Sequence, residues 1–272
     1  MAEVLEFRVP GGRGRTLLVL GLETDAAEHA LYLAFSAFGP LYSVRLRPNA
    51  PVAQPGHYAL VKYFSARDAG RAQRACNQQS LFQKSPLKVC ICTRQRSFPQ
   101  QTLVLNSHKC QELANHYLGF NSWSSRIVTL QDISGFEEEE NEEEASRALP
   151  GSQRCKYLCV QELTIPQHSI CSRGIGVAEV PVDPSQGFIA AMRGAQKLAA
   201  QKALSDAFQK ILLVVLENGK VAVEFSSPQD DLVDCLADEE LKGLLQVTDL
   251  SLSQLNPEGE EEVLSDFSMD DE

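Results

Sequence analysis

One short segment alternates an aromatic, an aliphatic and a basic side chain in a way that suits a binding surface. His57–Tyr63 reads HYALVKY, so a β-strand here places Tyr58, Leu60 and Lys62 on the same face. An aromatic ring offers a flat surface on which a nucleic-acid base can stack, and an ammonium group beside it can contact a phosphate. The spacing therefore places an aromatic ring and a cation on one face of a strand, where the cation can contact an anionic ligand.

Two further apolar segments add basic side chains at the same period of two. Residues 41–47 place Arg45 and Arg47 on one face, with Tyr42, Val44 and Leu46 on the other. Lys88 lies in the last apolar segment, 86–92, and counts onto the same face as Lys62. We therefore expect Arg45, Arg47, Lys62 and Lys88 to supply phosphate contacts.

The elements that position these residues alternate between strand and helix patterns. Residues 16–22 predict a buried strand, and Thr24 and Asp25 are candidate caps for a helix that Gly39-Pro40 ends. Strands at 41–47 and 57–63, a helix at about 66–77 and a strand at 86–92 follow. The order β-α-β-β-α-β predicts a ferredoxin-like sheet with both helices on one face and the other face bare.

Residues 15–96 resemble the RNA-recognition-motif family. Residues 17–22 and 56–63 stand where that family has its two signatures, and Phe35-x-x-Phe38-Gly39 matches the end of its first helix. The resemblance implies that bases stack at Leu18, Tyr58 and Leu60, of which only Tyr58 is aromatic. Since stacking contributes roughly 1–3 kcal/mol per base, we expect weaker or less specific binding. The alternative is a protein-binding module, because Leu18 and Leu60 also suit an apolar partner.

The second half of the chain has a different order of elements. A helix at 108–118 with Ser107 as its cap, a strand at 124–131, and strands at 157–165 and 174–182 lead into a long helix at 186–213. Asn218-Gly219 between two apolar triplets predicts a hairpin. An acidic loop at 136–147 interrupts the strands.

Residues 103–225 resemble the DNA-binding core of the Rad fifty-two family. Three motifs carry the match: Leu113-Ala114-Asn115-x-x-x-Gly119-Phe120-Asn121-x-Trp123, Gly174-Ile175-Gly176, and Ala199-x-x-Lys202-Ala203-x-x-Asp206-Ala207. The resemblance implies single-stranded DNA bound in a basic groove, with Lys109 and Lys210 at matching positions. Gln209 and Leu213 stand where the family has further basic residues. The alternative for Lys109 and Lys210 is that each lysine lies near a helix end, where the helix dipole and solvent stabilise its charge.

Charge is distributed unevenly over the 272 residues. Residues 1–100 carry 13 Lys and Arg against 6 Asp and Glu, whereas residues 226–272 carry 1 against 15. The basic front indicates an anionic partner, and the acidic tail 226–272 predicts a mostly disordered segment. Ser265 and Ser268, with acidic residues one and two positions after them, respectively, are candidate phosphorylation sites, and the tail is a candidate protein-docking segment. An inert solubilising tail explains its composition equally well.

Motifs for catalysis and metal binding are missing from the sequence. There is no GxxxxGK[ST] loop, and no run of about 18 apolar residues that would span a membrane. The cysteines lack zinc-site spacing, and His108 and His116 lie about 80° apart around a helix. We therefore expect no cofactor, no metal and no membrane association.

Together these features predict an α+β protein, with the ferredoxin-like domain at 15–96, the second core at 103–225 and the acidic tail. An RNA-recognition motif joined to such a core is the arrangement of a family of small vertebrate Rad fifty-two motif proteins, which the whole chain resembles. The resemblance implies non-catalytic binding of single-stranded DNA, and also RNA, in recombination and repair, in nucleus and cytoplasm. We also expect binding of double-stranded DNA and assembly into a homo-oligomer. A protein-interaction scaffold is the alternative.

Overall fold

The computed structural model describes residues 2–50, 55–93, 103–135, 154–183, 185, 187–226 and 236–243. The helices and strands of these residues are, in chain order, β1 (Glu3–Glu6), β2 (Thr16–Leu22), α1 (Glu28–Ser36), β3 (Leu41–Pro48), β4 (His57–Tyr63), α2 (Ala66–Cys76), β5 (Lys88–Ile91), α3 (Ser107–Tyr117), β6 (Ser124–Asp132), β7 (Arg154–Ile165), β8 (Ile170–Pro181), α4 (Phe188–Gln209), β9 (Ile211–Val215), β10 (Val221–Phe225) and α5 (Asp238–Gly243). The predicted acidic loop 136–147 and most of the tail, with Ser265 and Ser268, lie outside the described residues.

The first sheet confirms the ferredoxin-like prediction. Its strands are antiparallel in the order β3-β4-β2-β5. Leu17 and Val61 from the strands share one buried cluster with Phe35 of α1 and Ala72 of α2, so both helices pack on the same face. No helix among the described residues covers the opposite face.

The start of α1 differs from the predicted cap. Neither Thr24 nor Asp25 caps the helix, because α1 begins at Glu28 after Ala27, which makes no side-chain cap. The Glu28 carboxylate instead accepts a hydrogen bond from the Leu46 amide at 2.8 Å, which ties the helix to β3. By contrast, Ser65 caps α2 by accepting a hydrogen bond from the Asp68 amide at 3.1 Å.

The second sheet is built from β6, β7 and β8, which are antiparallel in that order. The α4 helix packs along one face of it through Ala195, Ala199 and Ala203, next to Cys159 and Ala178. The predicted long helix is too long at its C-terminal end, since α4 ends at Gln209 and residues 211–215 form β9. The hairpin at Asn218-Gly219 joins β9 to β10, with Gly219 at a φ of 79°.

The N-terminal strand joins the two halves of the chain. β1 pairs antiparallel with β9, with Leu5 opposite Leu213. Leu5 and Phe7 are buried in a cluster with Leu113 and Phe208, and the Phe7 and Phe208 ring centroids lie 4.8 Å apart. Residues before position 15, which the predicted domains leave out, therefore complete the core of the second half.

The same strand also contacts the first half. The Glu3 carboxylate accepts hydrogen bonds from the Ser65 hydroxyl at 2.6 Å and from the Ala66 amide at 2.8 Å, at the start of α2. Phe64 belongs to the buried cluster of the second half as well. The two halves of the chain are thus held together by a shared apolar core and by hydrogen bonds to Glu3.

The short helix α5 lies on the face of the second sheet that α4 leaves free. Leu241 is fully buried with Val128 and Val160, and Leu236 packs beside them. The sequence predicts a helix at 230–245, and its described part is Asp238–Gly243. Within the described ranges, no helix is both long and apolar enough to cross a membrane.

Candidate nucleic-acid interface

Backbone pairing brings all seven candidate residues of the first sheet onto its open face. The register aligns Arg45, Leu60, Leu18 and Cys90 in one row across the four strands. Arg47 pairs with Tyr58, and Leu20 pairs with Lys88. Lys62 pairs with Ser43 on one side and Thr16 on the other. Their neighbours along the strands, such as Leu17, Ala59 and Val89, are buried on the helix-covered face.

The open face combines an apolar centre with basic edges. Leu18, Tyr58 and Leu60 are half-buried, whereas Arg45, Arg47 and Lys88 are exposed on the two outer strands. Across the part of the chain that the structure describes, Arg45, Arg47, Lys62 and Lys88 make no ion pair. Such a surface can hold a flat ring against Tyr58 while cations on either side contact an anionic backbone.

Lys62 lies at the end of this face next to the second half of the chain. Its Nζ is 5.1 Å from the centroid of the Tyr42 ring, a cation–π distance. Burial lowers the pKa of Lys62, and the nearby guanidinium groups of Arg15 and Arg45 lower it further. The sequence patterns did not identify Arg15 as a candidate residue, although it directly precedes β2.

A bulge in β3 changes the predicted face of Tyr42. Pairing shifts between Leu41 and Ser43, so Tyr42 is the extra residue between them. Val44 and Leu46 pack on the core of the first sheet, whereas Tyr42 packs against the second core and meets Phe64 edge-on with ring centroids 5.8 Å apart. The prediction that Tyr42, Val44 and Leu46 share one face is therefore wrong for Tyr42.

Lys109 of the second half has a carboxylate partner. Its Nζ donates to a Glu112 carboxylate oxygen at 2.6 Å, one turn along α3. The helix is capped by Asn106, which accepts a hydrogen bond from the Lys109 amide, rather than by the predicted Ser107. A nucleic-acid contact by Lys109 stays a prediction, and it would have to compete with Glu112.

Lys210 is placed differently from the basic groove position that the resemblance implies. It follows the last residue of α4, is only 8% exposed, and its ammonium donates to the carbonyl oxygen of Arg173. Leu213 is fully buried in β9. The turn after Gln209 directs these side chains inward, so the structure does not present Lys210 to a ligand in solvent.

The glycine motif of the second half is explained by packing. A Cβ built on Gly174 would lie 2.2 Å from the Ala203 carbonyl oxygen, and one built on Gly176 would lie 2.1 Å from that of Ala199. The Asp206 carboxylate also accepts a hydrogen bond from the Ile175 amide at 3.0 Å. Two of the three motifs therefore let α4 approach β8 to within backbone contact.

The motif around α3 is structural for a similar reason. The Trp123 indole donates to the Asn115 side-chain oxygen at 2.9 Å, and its ring meets Phe208 edge-on with centroids 5.4 Å apart. Gly119, just after the helix, has a φ of 96°, a conformation that favours glycine. Trp123 thus packs against the core of the second half.

A charged cluster that sequence analysis missed fastens α5 to the second sheet. Asp238 accepts hydrogen bonds from Arg126 Nη1 at 3.0 Å and Arg173 Nη2 at 2.7 Å. Glu162 accepts from Arg126 Nε at 2.7 Å and Arg173 Nε at 2.9 Å. Burial alone would raise the pKa of Glu162, but the two arginines outweigh it and lower the pKa. No sequence signal links residues this far apart, because only strand register aligns them.

Metal-binding chemistry has no site among the described residues. The seven cysteines described there are free thiols, and no group of three or more His, Cys, Asp and Glu is placed to hold a metal ion in those ranges. The described residues therefore offer the candidate interface no set of metal ligands.

Comparisons with known proteins agree with the two-part organisation. The RNA recognition motif model matches residues 17–87, and the model of the RDM1 DSRM domain matches residues 105–212. Among solved structures, the Mip6 RRM3 domain is 28% identical, covers 30% of this chain and 98% of that chain, and has a TM-score of 0.28.

Full-length relatives show the family. RAD52 motif-containing protein 1 from Gallus gallus is 57% identical over 276 residues, which cover 100% of this chain and 97% of the relative. The protein of that name from Homo sapiens is 50% identical over 280 residues, with the same coverage. The chain belongs to the family of RAD52 motif-containing protein 1.

Proposed function

We propose that the chain is a non-catalytic, single-stranded nucleic-acid-binding protein that acts as an accessory factor in DNA recombination and repair. The observation that carries the proposal is the open face of the first sheet, on which Tyr58 lies among unpaired cations. The names of the matched models and relatives support nucleic acid and repair as the context. Both single-stranded DNA and RNA fit this face, because stacking and phosphate contacts are common to both.

The face sets the expected mode of binding. One aromatic platform permits one strong base stack, while Leu18 and Leu60 offer apolar contact to neighbouring bases. The cations on β3, β4 and β5 contact phosphates, which is independent of sequence and weakens with salt. We therefore expect modest affinity with little sequence preference, and we propose nuclear and cytoplasmic localisation.

The test is fluorescence anisotropy of labelled single-stranded DNA, single-stranded RNA and double-stranded DNA against the full chain at two salt concentrations. Tyr58→Ala should weaken single-strand binding roughly 5- to 150-fold, the equivalent of about 1–3 kcal/mol of lost stacking. Tyr32→Ala is the matched control, since Tyr32 is an exposed aromatic residue on α1, the helix on the other side of the sheet. Equal effects of the two substitutions would contradict the proposal.

The second candidate function is a protein-interaction scaffold. Leu18 and Leu60 lie side by side at the centre of the open face, where an apolar partner surface could replace the bases. The same titration separates the two functions. If the full chain binds no single strand at low salt, the scaffold is favoured and Leu60→Glu should then abolish capture of its protein partner.

A further inference from the structure

The segments that flank the two ends of the open face differ in charge. This difference affects a nucleic-acid strand that is longer than the face. Rows of side chains two residues apart along β4, from Tyr58 through Leu60 to Lys62, span roughly 14 Å at about 3.4 Å per residue. Such a sheet holds two or three bases. A longer strand that follows β4 leaves the sheet either past Tyr58 or past Lys62.

Carboxylates lie at the Tyr58 end. The Glu28 carboxylate accepts a hydrogen bond from the amide of Leu46, the residue that precedes Arg47. The Glu23 side chain accepts hydrogen bonds from Ser85, and its backbone carbonyl contacts the His57 ring at 3.2 Å. On the sheet itself Arg47 lies opposite Tyr58 and Lys88 opposite Leu20 at this end, and a phosphate that passes beyond them approaches these two carboxylates.

Arginines lie at the Lys62 end. The connector between β1 and β2 covers residues 8–15, reads RVPGGRGR, and has three arginines and no acidic residue. The backbone carbonyl of Arg15, the last residue of the connector, accepts a hydrogen bond from the Tyr63 amide at 2.8 Å. Its guanidinium donates to the Gly11 carbonyl at 3.3 Å, and it is close enough to Lys62 to influence the pKa of that lysine.

The connector leads without a break to the second half of the chain. Arg8 forms an antiparallel bridge with Val104, and the Val9 amide donates to the Leu103 carbonyl at 2.8 Å. Arg8 also lines a shallow recess together with Glu6, Gln209 and Leu212, and its Nε lies 4.0 Å from a Glu6 carboxylate oxygen. This ion pair is long and exposed, so it is weak and a phosphate can replace Glu6. Gln209 is a position at which the sequence resemblance implies a basic residue, and here the N-terminal segment brings an arginine to it.

We propose that the connector, residues 8–15, is a second phosphate-binding segment of the same site, which takes the backbone of a single strand where it leaves the sheet past Lys62. Arg15 contacts the first phosphate beyond the sheet, and Arg8 contacts the backbone at the edge of the second half. This inference rests on the proposed function. It adds a direction to it: the strand crosses the sheet from Tyr58 to Lys62 and continues along the connector.

The experiment compares two oligonucleotides of thymidine, one of 4 and one of 16 nucleotides, with the full chain carrying Arg8→Gln and Arg15→Gln together. We expect about tenfold weaker binding of the longer strand and less than a twofold change for the shorter one, titrated to millimolar concentration. For the longer strand, the slope of log affinity against log salt should fall by about 1.4, since a single strand contributes about 0.7 per phosphate contact.

The matched control is Arg74→Gln with Arg193→Gln, which removes the same charge from exposed positions on α2 and α4. An equal loss with this control, an equal loss for both lengths, or no loss at all would overturn the inference. Tyr58→Ala distinguishes this failure from a failure of the proposed function. If Tyr58→Ala weakens both oligonucleotides while the connector variant spares both, only the connector is excluded; if neither oligonucleotide binds the unaltered chain, the proposed function fails as well.

Discussion

In the first sheet, α1 and α2 cover one face and no described helix covers the other, whereas in the second sheet α4 covers one face and α5 packs on the other. The residues of the family motifs differ between the two sheets in the same way. On the first sheet they include side chains that face outward, such as Tyr58 and Leu60. On the second sheet Gly174, Gly176 and Ala203 are used for close packing of a helix on a strand. The family motifs thus contain outward-facing side chains in one half and serve the close packing of a helix on a strand in the other.

The largest expected effect concerns the segment that both halves share. Phe7→Ala should destabilise the protein by about 3–5 kcal/mol, because Phe7 is 1% exposed and its ring packs on Phe208 in the second core. Urea unfolding of the full chain measures the loss. Val4→Ala, in the preceding strand β1 but 49% exposed, should change stability by less than about 0.5 kcal/mol. A small loss for Phe7→Ala would contradict the packing of Phe7 in the second core.

The next prediction tests the packing role of the glycine motif. Gly176→Ala should cost about 3 kcal/mol, because its Cβ would lie 2.1 Å from a backbone oxygen and α4 would have to move away. The control is Gly194→Ala in the same helix, whose Cβ has no neighbour nearer than 4.0 Å. That substitution should stabilise the protein by about 0.5–1 kcal/mol. Equal stability of the two variants would contradict close approach of α4 and β8.

A smaller effect is expected on the outer face of the second sheet. Asp238→Asn removes the negative charge that holds Arg126 and Arg173, so α5 should open about five times more often, the equivalent of about 1 kcal/mol. Hydrogen exchange of residues 236–243 measures this opening while β7 serves as the internal reference. Glu239→Gln, an exposed neutralisation on the same helix, should leave the exchange unchanged. Unchanged exchange in the Asp238 variant would show that Leu236 and Leu241 suffice to hold the helix.

The smallest effect sharpens the contrast between the two halves as ligand surfaces. Lys109→Gln should change single-strand affinity less than twofold, because the ammonium is engaged by Glu112 at 2.6 Å. Anisotropy with the oligonucleotides described above, next to Tyr58→Ala, gives the comparison. A loss as large as that of Tyr58→Ala would place α3 in the binding site and make the second half a ligand surface too.

Much of the first half could be predicted from sequence because its signals are local. The period of two in β4 separates Tyr58, Leu60 and Lys62 from the buried Ala59 and Val61, and the structure confirms that alternation. The same reasoning failed at Tyr42, where a bulge adds one residue to β3. Bulges depend on the partner strand, so a single strand's pattern does not show them.

The second half was harder to predict because its site candidates depend on contacts distant in sequence. A helical pattern continued to Leu213, but pairing of Ile211–Val215 with β1 and β10 makes this segment a strand. That choice ends α4 at Gln209 and points the Lys210 ammonium at Arg173. Propensity over a few residues was overridden by tertiary pairing.

The sequence by itself determined the order of elements from β2 to α4, the two-part organisation and the outward face of β4, since these follow from hydrophobic period and turn residues that act over a few positions. Only the tertiary structure decided that β1 completes the second core, that Lys210 is buried, and that Arg126, Glu162, Arg173 and Asp238 meet. The physical reason is that these contacts depend on strand register and helix packing across the whole chain. Local backbone preferences, worth less than about 1 kcal/mol per residue, cannot specify them.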